Sequence, residues 1–425
     1  MPLDGMLEIL YSRRRFGIRP GLDRVTALLG RLGNPQNTFR SIHVVGTNGK
    51  GSTSAFLSAI LAAAGQQPAL FTSPHLVNFN ERFRINDRDI DTPTLAAAME
   101  RVMAAAAEET TFFEVVTALA ALLFAEHGVS VAVMEAGMGG RSDATAALPG
   151  IMTLVTPISL DHCDYLGHSI EVIAAEKSAI AEAATMLVSA AQTEGALQQI
   201  KGHASESGIR MFAAGVDFYT AWQDNGLLDY NGIHVKMSGL SPGIPGLYQS
   251  GNAGLAMAAA ELLPSLGIPV TVENINTGIA KARWPGRMEL IPGNPRIMLD
   301  GAHNPDGALA LQTALTGCCY NKLLLVTGVM ADKDVSAVLS PLVPKAETVF
   351  CVTPSVERAL GSRDLCTVIA GMGGSAMDCG CVADGIARAV QAAGPDDLVL
   401  ICGSLFTVGE AKAVMSGKQF KGIRG

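Results

Sequence analysis

A glycine-rich loop around a single lysine is the segment of this sequence best suited to chemistry. The segment "HVVGTNGKGST", residues 43–53, follows an apolar run and leads into an alanine-rich helical pattern. Backbone N–H groups of such a loop, and of the helix N-terminus after it, point toward an anion. Lys50 adds positive charge, and a hydroxyl of Ser52 or Thr53 can hold Mg²⁺. The segment therefore predicts a phosphate-binding site.

The loop departs from the common P-loop pattern G-x-x-x-x-G-K-[ST]. Gly51 separates Lys50 from Ser52, and the gap before the lysine is short. From the loop alone, a glycine-rich turn that binds no ligand is therefore the alternative.

Two further polar residues stand near the ends of apolar runs. Glu135 ends "VAVME", and His162 follows Asp161 in "SLDH", at what we interpret as another strand end. An acid at the carboxyl end of a strand in an α/β sheet points into the binding crevice. A helix-cap role for Glu135 and a structural role for His162 are the alternatives. Lys177, in "AAEKSAI", lies on a predicted helix, where a solvated lysine is the simplest interpretation.

The pattern of elements predicts a mostly parallel α/β fold. Continuous apolar runs alternate with helical patterns such as residues 92–108 and 113–127. Residues 215–247 instead contain short alternating strands and Asn-Gly turns, which predict a small antiparallel appendage.

A cluster of prolines and glycines in residues 283–296 indicates a linker. A second α/β pattern follows it, with strand-like runs in "RIMLDGAHN", "KLLLVTGVM", "ETVFCVTP" and "LVLICGSL". We therefore predict an N-terminal domain over residues 1–285, a linker over 286–296 and a C-terminal domain over 297–425.

The composition limits the partners that the protein can have. Its 425 residues are 48% apolar and 16% charged, with a formal net charge of −8. This balance argues against a nucleic-acid surface, so an anionic substrate needs a local basic pocket. The sequence has no signal-peptide pattern and no apolar run of membrane-spanning length, so we expect a cytoplasmic protein without membrane contact. The eight cysteines lack zinc-type spacing and are expected to be reduced thiols.

The loop and several later segments together resemble the folylpolyglutamate synthase and dihydrofolate synthase family of the Mur ligase superfamily. The segments appear in the family's order, from about residue 40 to 405: "GTNGKGST", "TSPHLVNFNERFRIN", "TFFEVVTALA", "MEAGMGGRSDATA", "SLDHCDYLGHSIEVIAAEKSAI", "RWPGRMEL", "LDGAHNPDGA", "GVMADKD" and "CGSL". The resemblance implies a P-loop ATPase domain and a smaller Rossmann-like α/β domain, with the active site in the cleft between them. ATP would phosphorylate a substrate carboxylate, and the amine of L-glutamate would then attack the acyl phosphate.

The resemblance also implies roles for residues at the nucleotide. Lys50 and the loop backbone would cradle the β- and γ-phosphates of ATP. Asn252 would contact the adenine side, Arg287 the phosphate side and Asp300 the ribose or the linker. The loop residues with this role are Gly46, Thr47, Asn48, Gly49, Lys50, Gly51, Ser52 and Thr53.

Metal and catalytic roles are implied in the same way. The Ser52 hydroxyl and the Glu135 carboxylate would ligate Mg²⁺, and His162 would ligate a second Mg²⁺. Lys177 matches a lysine that is often carbamylated in related enzymes, where the resulting anion can ligate or orient Mg²⁺. His303, in "DGAHN", matches a phosphate contact.

The pterin end of the substrate would lie near "TSPHLVNFNERFRIN". The residues implicated in substrate binding are Ser73, Pro74, His75, Arg82, Arg84, His303 and, for the glutamate pocket, Ser404. An exposed surface strand is the alternative for the two arginines. We expect Phe112 and Phe113, in "TFFEVV", to be packing residues rather than stacking platforms.

These observations predict an ATP-dependent amide ligase that acts as a monomer on ATP, L-glutamate and dihydropteroate or a folate, with both acceptor activities in one enzyme. One alternative is a cell-wall precursor ligase of the same superfamily, which joins amino acids to a UDP-sugar acceptor. The "SPHL…NER" stretch and the lack of an added N-terminal domain argue against it. A second alternative is a P-loop switch protein, for which no N-K-x-D-type guanine-binding motif is present.

Overall fold

Three β-sheets organise the part of the chain that the computed structural model describes, residues 2–13, 20–183, 186–418 and 420. The outer ends of the two predicted domains, residues 1 and 425, lie outside the described residues. The α/β class predicted from the sequence is confirmed, whereas the domain boundaries at residues 285 and 297 stay predictions.

The largest sheet is mostly parallel. It consists of β1 (Arg40–Val45), β2 (Ala69–Phe71), β3 (Phe83–Ile85), β4 (Arg88–Asp89), β5 (Val131–Glu135), β6 (Gly150–Val155), β7 (Met186–Ser189) and β8 (Arg210–Ala213). In space the order is β4-β3-β2-β5-β1-β6-β7-β8, and among these pairings the antiparallel ones involve β3. Strand β1 therefore lies between β5 and β6, with its last five residues buried. The segment that follows β1 consequently starts at the carboxyl edge of the central strands, where α/β sheets bind ligands.

Helices cover both faces of this sheet. They are α1 (Leu3–Ser12), α2 (Asp23–Arg31), α3 (Lys50–Ala63), α4 (Thr92–Ala105), α5 (Phe112–Glu126), α6 (Cys163–Leu166), α7 (Ile170–Ser178), α8 (Glu194–Glu206), α9 (Gln249–Leu262) and α10 (Val272–Lys281). One face packs Ile42 and Val44 of β1 against Phe56 of α3. The other face packs Met134 of β5 against Leu119 of α5. Apolar side chains on both sides of the central strands account for the continuous apolar runs in the sequence.

Residues 219–240 form a separate antiparallel sheet of three strands, β9 (Tyr219–Trp222), β10 (Leu228–Asn231) and β11 (Lys236–Leu240). The carboxylate of Glu261 on α9 holds this sheet to the body. It accepts hydrogen bonds from the N–H groups of His234, at 2.6 Å, and Val235, at 3.0 Å, and from the hydroxyl of Tyr230.

A third sheet follows, covered by its own helices. Its strands are β12 (Glu289–Ile291), β13 (Arg296–Leu299), β14 (Leu323–Thr327), β15 (Thr348–Thr353), β16 (Ala376–Cys381) and β17 (Leu398–Cys402). Its helices are α11 (Pro305–Leu315), α12 (Val335–Leu339), α13 (Ser362–Gly371), α14 (Val382–Ala392) and α15 (Leu405–Met415). The strand order is β12-β13-β17-β14-β15-β16, with β12 antiparallel to β13.

Two strands of this third sheet were not predicted from the sequence. Strand β12 lies inside the segment interpreted as a linker, and at three residues it is too short to give a recognisable pattern. Strand β16 lies at the sheet edge, and one of its six residues is buried, so it has no continuous apolar run.

The described part of the chain contains no helix that combines the length and the apolar character needed to cross a membrane.

The helix after the glycine-rich loop, α3, is supported from behind by α10. Gly278 of α10 lies so close to α3 that a Cβ atom there would come within 2.4 Å of the Cα atom of Ile60. We predict that Gly278→Ala forces the two helices apart and lowers the free energy of unfolding by about 1–3 kcal/mol. The measurement is the midpoint of urea unfolding followed by circular dichroism. Gly202→Ala in α8 is the control, because nothing lies within 4 Å of a Cβ atom there, and it should instead stabilise by about 0.5–1 kcal/mol. Equal effects of the two substitutions would contradict the packing argument.

Candidate active site

The glycine-rich loop is shaped by close backbone contacts. Gly46 has φ +140° and Gly49 has φ +87°, conformations that other residues rarely adopt. A Cβ atom at Gly46 would lie 2.0 Å from Oγ1 of Thr156, and one at Gly49 would lie 2.2 Å from Oδ1 of Asn252. Asn252, predicted to contact the nucleotide, is therefore placed directly against the loop. Glycine is required at both positions by the backbone geometry and by these close contacts.

Lys50 is the first residue of α3, and its side chain folds back over the loop. Its ammonium donates to the carbonyl oxygens of Gly46, at 3.2 Å, and Thr47, at 3.1 Å. The Ser52 hydroxyl, in the first turn of α3, accepts a hydrogen bond of 3.2 Å from Nε2 of Gln249. A cation and a helix N-terminus thus lie together, which is the combination that favours a bound anion.

Glu135 ends β5, next to the strand that leads into the loop, and its side chain is buried. Its carboxylate accepts a hydrogen bond of 3.3 Å from the N–H group of Ser73. Burial raises the pKa of Glu135 to about 7, although Lys50 opposes the shift. A buried carboxylate with so little hydrogen bonding is suited to a bound cation, which would offset the burial.

Lys177 lies on α7 and is buried beside the same loop. Its Nζ donates to the carbonyl oxygen of Gly46 at 2.9 Å. Burial, assisted by repulsion from Lys50, lowers the pKa of Lys177 to about 7. The simplest interpretation of the sequence, a solvated lysine, is therefore wrong.

Asp161 connects a loop of the largest sheet to loops of the third sheet. Its carboxylate lies 2.5 Å from Nζ of Lys333, and Nδ2 of Asn304 donates to it at 3.4 Å. Nε2 of His303 lies 3.9 Å away, and Nε2 of His162 lies 4.0 Å away. Burial opposes ionisation of Asp161, but His162, Lys333 and His303 outweigh it and hold the pKa below its usual range.

A second polar bridge between the same two parts is formed by paired amides. Nδ2 of Asn304 donates to Oδ1 of Asn48 at 2.9 Å, and Nδ2 of Asn48 donates to Oδ1 of Asn304 at 3.3 Å. Oδ1 of Asn304 also caps α11 by accepting from the N–H group of Gly307 at 2.8 Å. The glycine-rich loop is thereby tied to the first turn of a helix in the third sheet's layer.

Both predicted site histidines are held in the neutral form. His162 does not directly follow a strand, as the sequence suggested, because β6 ends at Val155 and His162 lies on the loop before α6. Its side chain is 42% exposed, and partial desolvation in the cleft lowers its pKa to about 4. Burial also lowers the pKa of His303, whose Nδ1 lies 2.8 Å from the carbonyl oxygen of Gly301. Nδ1 must carry the proton in that contact, which leaves Nε2 of His303 as a proton acceptor.

Asp300 and Ser404 are engaged in holding the backbone. The carboxylate of Asp300 accepts from the hydroxyl of Tyr248 and from the N–H groups of Met288 and Ala302, each at 2.9 Å. This geometry favours the linker-side role of Asp300, and its contact with the nucleotide stays a prediction. Ser404 caps α15, and its hydroxyl lies 3.0 Å from the carbonyl oxygen of Gly328. Its role in glutamate binding stays a prediction.

Two cavities open next to these groups. The larger, of about 660 Å³, has a wall from the first part of the chain that includes Ser73, Pro74 and Arg82, and a facing wall that includes Lys333 and Ser404. Both histidines of the site, His162 and His303, also line it. The smaller cavity, of about 160 Å³, is lined by His75 together with Gly51, Glu135 and Arg287. The two cavities adjoin at Ser73 and Pro74. Neither of them is lined by Lys50, Ser52, Lys177, Asn252 or Asp300.

The arginines predicted to meet the substrate differ in environment. Arg82 is 1% exposed, so the alternative of a surface strand is wrong for it. Its Nε donates to Nδ1 of His75 at 2.9 Å, and its guanidinium lies 5.5 Å from the rings of Phe79 and Phe112. Arg84 pairs with Asp89 at 3.0 Å and borders the smaller cavity.

Phe112 and Phe113 pack as expected, yet they also border the cleft. Phe112 stacks on Tyr11 with ring centroids 5.7 Å apart, and Phe113 lies 5.9 Å from Phe71. Both rings line the larger cavity. Packing and contact with a ligand are therefore compatible at these positions.

The metal-ligating side chains near the loop suit magnesium, which keeps water and phosphate ligands, better than a metal that only protein side chains coordinate. Within the described ranges, no three His, Cys, Asp or Glu side chains gather closely enough to hold a metal ion. Mg²⁺ is typically held by one or two carboxylates together with phosphate oxygens and water. The hydroxyl of Ser52 and the buried carboxylate of Glu135 supply oxygen donors for this mode, whereas the imidazole of His162 supplies a nitrogen, a less usual ligand for Mg²⁺.

Asp161 and Lys333 were not among the residues singled out in the sequence. Both lie within segments that carried the resemblance, "SLDH" and "GVMADKD". The opposite charges of the two residues were the available signal in the sequence. Only the fold shows that these residues, 172 positions apart in the chain, are in contact.

Comparison with known proteins gives matches over most of the chain. The family model for the Mur ligase middle domain matches residues 44–260, and the model for the Mur ligase glutamate ligase domain matches residues 286–405. A Bacillus subtilis protein named dihydrofolate synthase/folylpolyglutamate synthase is 32% identical over 421 residues, covering 95% of this chain and 96% of that protein.

Longer relatives and solved structures match as well. A Haloferax volcanii protein named probable bifunctional folylpolyglutamate synthase/dihydropteroate synthase is 35% identical over 96% of this chain and 50% of its own length. The chain thus spans about half the length of the haloarchaeal relatives it matches. The structure of a Yersinia pestis bifunctional folylpolyglutamate synthase/dihydrofolate synthase with AMPPNP and a manganese ion has 30% identity and a TM-score of 0.88, covering 98% of each chain.

The ion pair between Asp161 and Lys333 should stabilise the contact across the cleft. We predict that Lys333→Met lowers the free energy of unfolding by about 3–5 kcal/mol, because it leaves a buried carboxylate without its partner. The combination with Asp161→Asn should cost less than the sum of the two single substitutions by at least about 1 kcal/mol. The measurement is urea unfolding of the four proteins of this double-mutant cycle.

An exposed ion pair provides the matched control. Lys322 and Glu347 also approach within 3.0 Å, but each side chain is 56% exposed. Their coupling should not exceed about 1 kcal/mol. A coupling between Asp161 and Lys333 no larger than this control would show that the contact does not hold the cleft together.

Proposed function

Because the chain belongs to the folylpolyglutamate synthase/dihydrofolate synthase family of Mur ligases, we propose that it is an ATP-dependent amide ligase. It joins L-glutamate to dihydropteroate and to folates through an acyl phosphate, and forms ADP and phosphate. The chain acts as a monomer on these small molecules, which is consistent with a cleft lined by residues from both ends of one chain.

The observation that carries this proposal is the junction of the glycine-rich loop with a cleft whose C-terminal wall carries Lys333 and Arg358. Asn48 of the loop is hydrogen-bonded to Asn304. Asp161 precedes His162 of the cleft and forms an ion pair with Lys333 of the opposite wall. A phosphate held at the loop is therefore beside the space where an acceptor and an amino acid can lie together. Phosphoryl transfer depends mainly on such positioning and on neutralisation of charge.

The reaction has two steps. A carboxylate oxygen of the acceptor attacks the γ-phosphorus, the bond to the β-phosphate oxygen breaks, and ADP leaves. The amine of L-glutamate then attacks the acyl carbon, the amide bond forms, and phosphate leaves with one oxygen of the former carboxylate. The amine loses a proton in this second step.

Residues of the chain have separate roles in these steps. Lys50 and the loop N–H groups bind the β- and γ-phosphates. Neutral His303 presents Nε2 to the cleft, where it can contact phosphate or accept a proton from the glutamate amine. Asn252 lies against Gly49 of the loop, and Arg287 lines the smaller cavity; these positions support their proposed contacts with the nucleotide.

Ser52, Glu135 and His162 would hold Mg²⁺, and we propose two ions in the complete site. Bound Mg²⁺ supplies positive charge that offsets the charge of the phosphates. The manganese and AMPPNP in the Yersinia pestis structure support a requirement for nucleotide and a divalent metal in this chain.

Lys177 is proposed to carry a carbamate. Its lowered pKa, about 7, leaves much of the amine unprotonated at neutral pH, and the unprotonated amine is the form that adds to CO₂. The neutral amine forms a nitrogen–carbon bond with CO₂ and releases one proton to solvent, so the neutral side chain becomes an anion. The nearby Lys50, which disfavours a positive charge at this position, would favour the negative one.

A cell-wall precursor ligase of the same superfamily is the competing function. The Bacillus subtilis relative, which matches nearly the full length of the chain, has a folate-related name, and this supports the folate assignment. Amide formation with a UDP-muramyl acceptor and none with a pteroate would favour the competitor.

We predict that phosphate release from ATP requires L-glutamate and an acceptor. Release should occur with 7,8-dihydropteroate and with tetrahydrofolate, and should fall to background without either. Lys50→Met should reduce the rate at least about 100-fold, because the phosphates lose their cation. Phosphate release that does not depend on an acceptor would indicate a nucleotide hydrolase. Release with only one of the two acceptors would show that the protein has only the corresponding activity.

We further predict a carbamate carbon signal in the NMR spectrum of the protein equilibrated with ¹³C-bicarbonate at about pH 8, where the amine of Lys177 is largely unprotonated. The signal should be lost as the pH falls below about 7, because protonation of the amine competes with CO₂. Lys177→Met is the control and should lack the signal. A spectrum identical in both proteins would contradict carbamylation.

A further inference from the structure

The C-terminal wall of the larger cavity carries an arginine whose backbone is fixed. The N–H group of Ala331 donates to the carbonyl oxygen of Arg358 at 2.9 Å, and that of Leu360 donates to Val329 at 2.9 Å. Met330 and Ala359 form an antiparallel bridge between these two hydrogen bonds. The loop that carries Arg358 is therefore clamped onto the loop that follows β14, and its position in the wall is defined.

The side chain of Arg358 is also oriented, while remaining accessible. Its guanidinium lies 5.0 Å from the centre of the Phe406 ring, and both residues line the larger cavity. Stacking on an aromatic face orients a guanidinium without using its N–H donors. The Arg358 side chain is 51% exposed, so a ligand in the cleft can reach it.

The cations of the cleft differ in how firmly they are engaged. Lys333 is bound to the buried Asp161 at 2.5 Å, and Arg82 is buried and donates to His75. Arg358 faces Asp332 at 4.0 Å, and the Asp332 side chain is 49% exposed. An ion pair of that length and exposure contributes little, so Arg358 can exchange it for a ligand carboxylate. The planar guanidinium can then donate two parallel hydrogen bonds.

We propose that Arg358 recognises the side-chain carboxylate of the incoming L-glutamate; this inference rests on the ligase function proposed above. The α-carboxylate is attached to the same carbon as the attacking amine, so it must stay beside the acyl phosphate. The side-chain carboxylate extends away from that centre. Arg358 is stacked at the accessible wall, next to the loop that carries Lys333. It is therefore placed to receive the side-chain carboxylate.

The test measures glutamate-dependent phosphate release by the full chain with ATP and a saturating acceptor. Arg358→Ala should raise the KM for L-glutamate about 10- to 100-fold, as expected for loss of a charge-assisted hydrogen bond. The KM for ATP and the kcat should change less than about threefold, because the phosphate site and the attacking amine are untouched. Arg358→Lys should restore part of the loss, since it keeps the charge but not the paired donors.

L-Glutamine, which lacks the side-chain negative charge, identifies the group that Arg358 binds. The preference for glutamate over glutamine, expressed as the ratio of kcat/KM values, should fall at least about 10-fold in Arg358→Ala. Arg210→Ala is the matched control, because Arg210 also stacks on a phenylalanine, at 4.8 Å from Phe212, but lies on β8 outside both cavities. This control should keep both the KM and the preference.

Several results would overturn the inference. An unchanged KM for glutamate in Arg358→Ala would do so, as would a raised KM with an unchanged preference over glutamine. A raised KM for the acceptor alone would instead assign Arg358 to the acceptor. Absence of glutamate-dependent release in the unmodified protein would overturn the proposed ligase function, and with it the role of Arg358.

Discussion

The contact of Asp161 with Lys333, reinforced by the paired amides of Asn48 and Asn304, is the constraint on which the site depends. These groups belong to two separately folded sheets, each with its own core. This contact helps to set the position of the glycine-rich loop relative to the C-terminal wall, together with the hydrogen bond from Tyr248 to Asp300. With these contacts in place, two neutral histidines and a wall that carries Lys333 and Arg358 face one cleft. Asn48 of the glycine-rich loop is hydrogen-bonded to Asn304, next to His303 of that cleft. Because the bridge is polar, and polar interfaces within a chain permit domain motion, the cleft can be both specific and able to open.

Burial near the loop moves acids and bases toward neutrality. The pKa of Glu135 rises to about 7 and that of Lys177 falls to about 7. Each group can therefore gain or lose a proton near neutral pH. Such an arrangement is costly for a protein without ligands, and it is typical of sites that receive strongly charged groups. Phosphates and divalent cations would compensate these charges. The electrostatics of the pocket therefore agree with the chemistry assigned to the family.

Local patterns in the sequence were sufficient for the glycine-rich loop, the buried central strands and the position of Glu135 at the end of β5, because each is defined by residues that are neighbours in the chain. The strand β16 escaped detection because an edge strand with exposed side chains has no continuous apolar run. The environment of Arg82 could not be predicted either, since its burial depends on Phe79 and on Phe112, which lies 30 positions away. Contacts such as that of Asp161 with Lys333 join distant segments, and a single sequence carries no signal for their distance.

The central claim is that ATP activates a carboxylate on the acceptor before glutamate attacks. The most direct measurement uses an acceptor whose reacting carboxylate is labelled with oxygen-18, followed by mass spectrometry of the phosphate and of the amide product. An acyl phosphate requires that each phosphate released carry one oxygen from that carboxylate, and that the amide keep the other. Unlabelled phosphate formed together with the amide would show that the oxygen came from water, and would contradict the account.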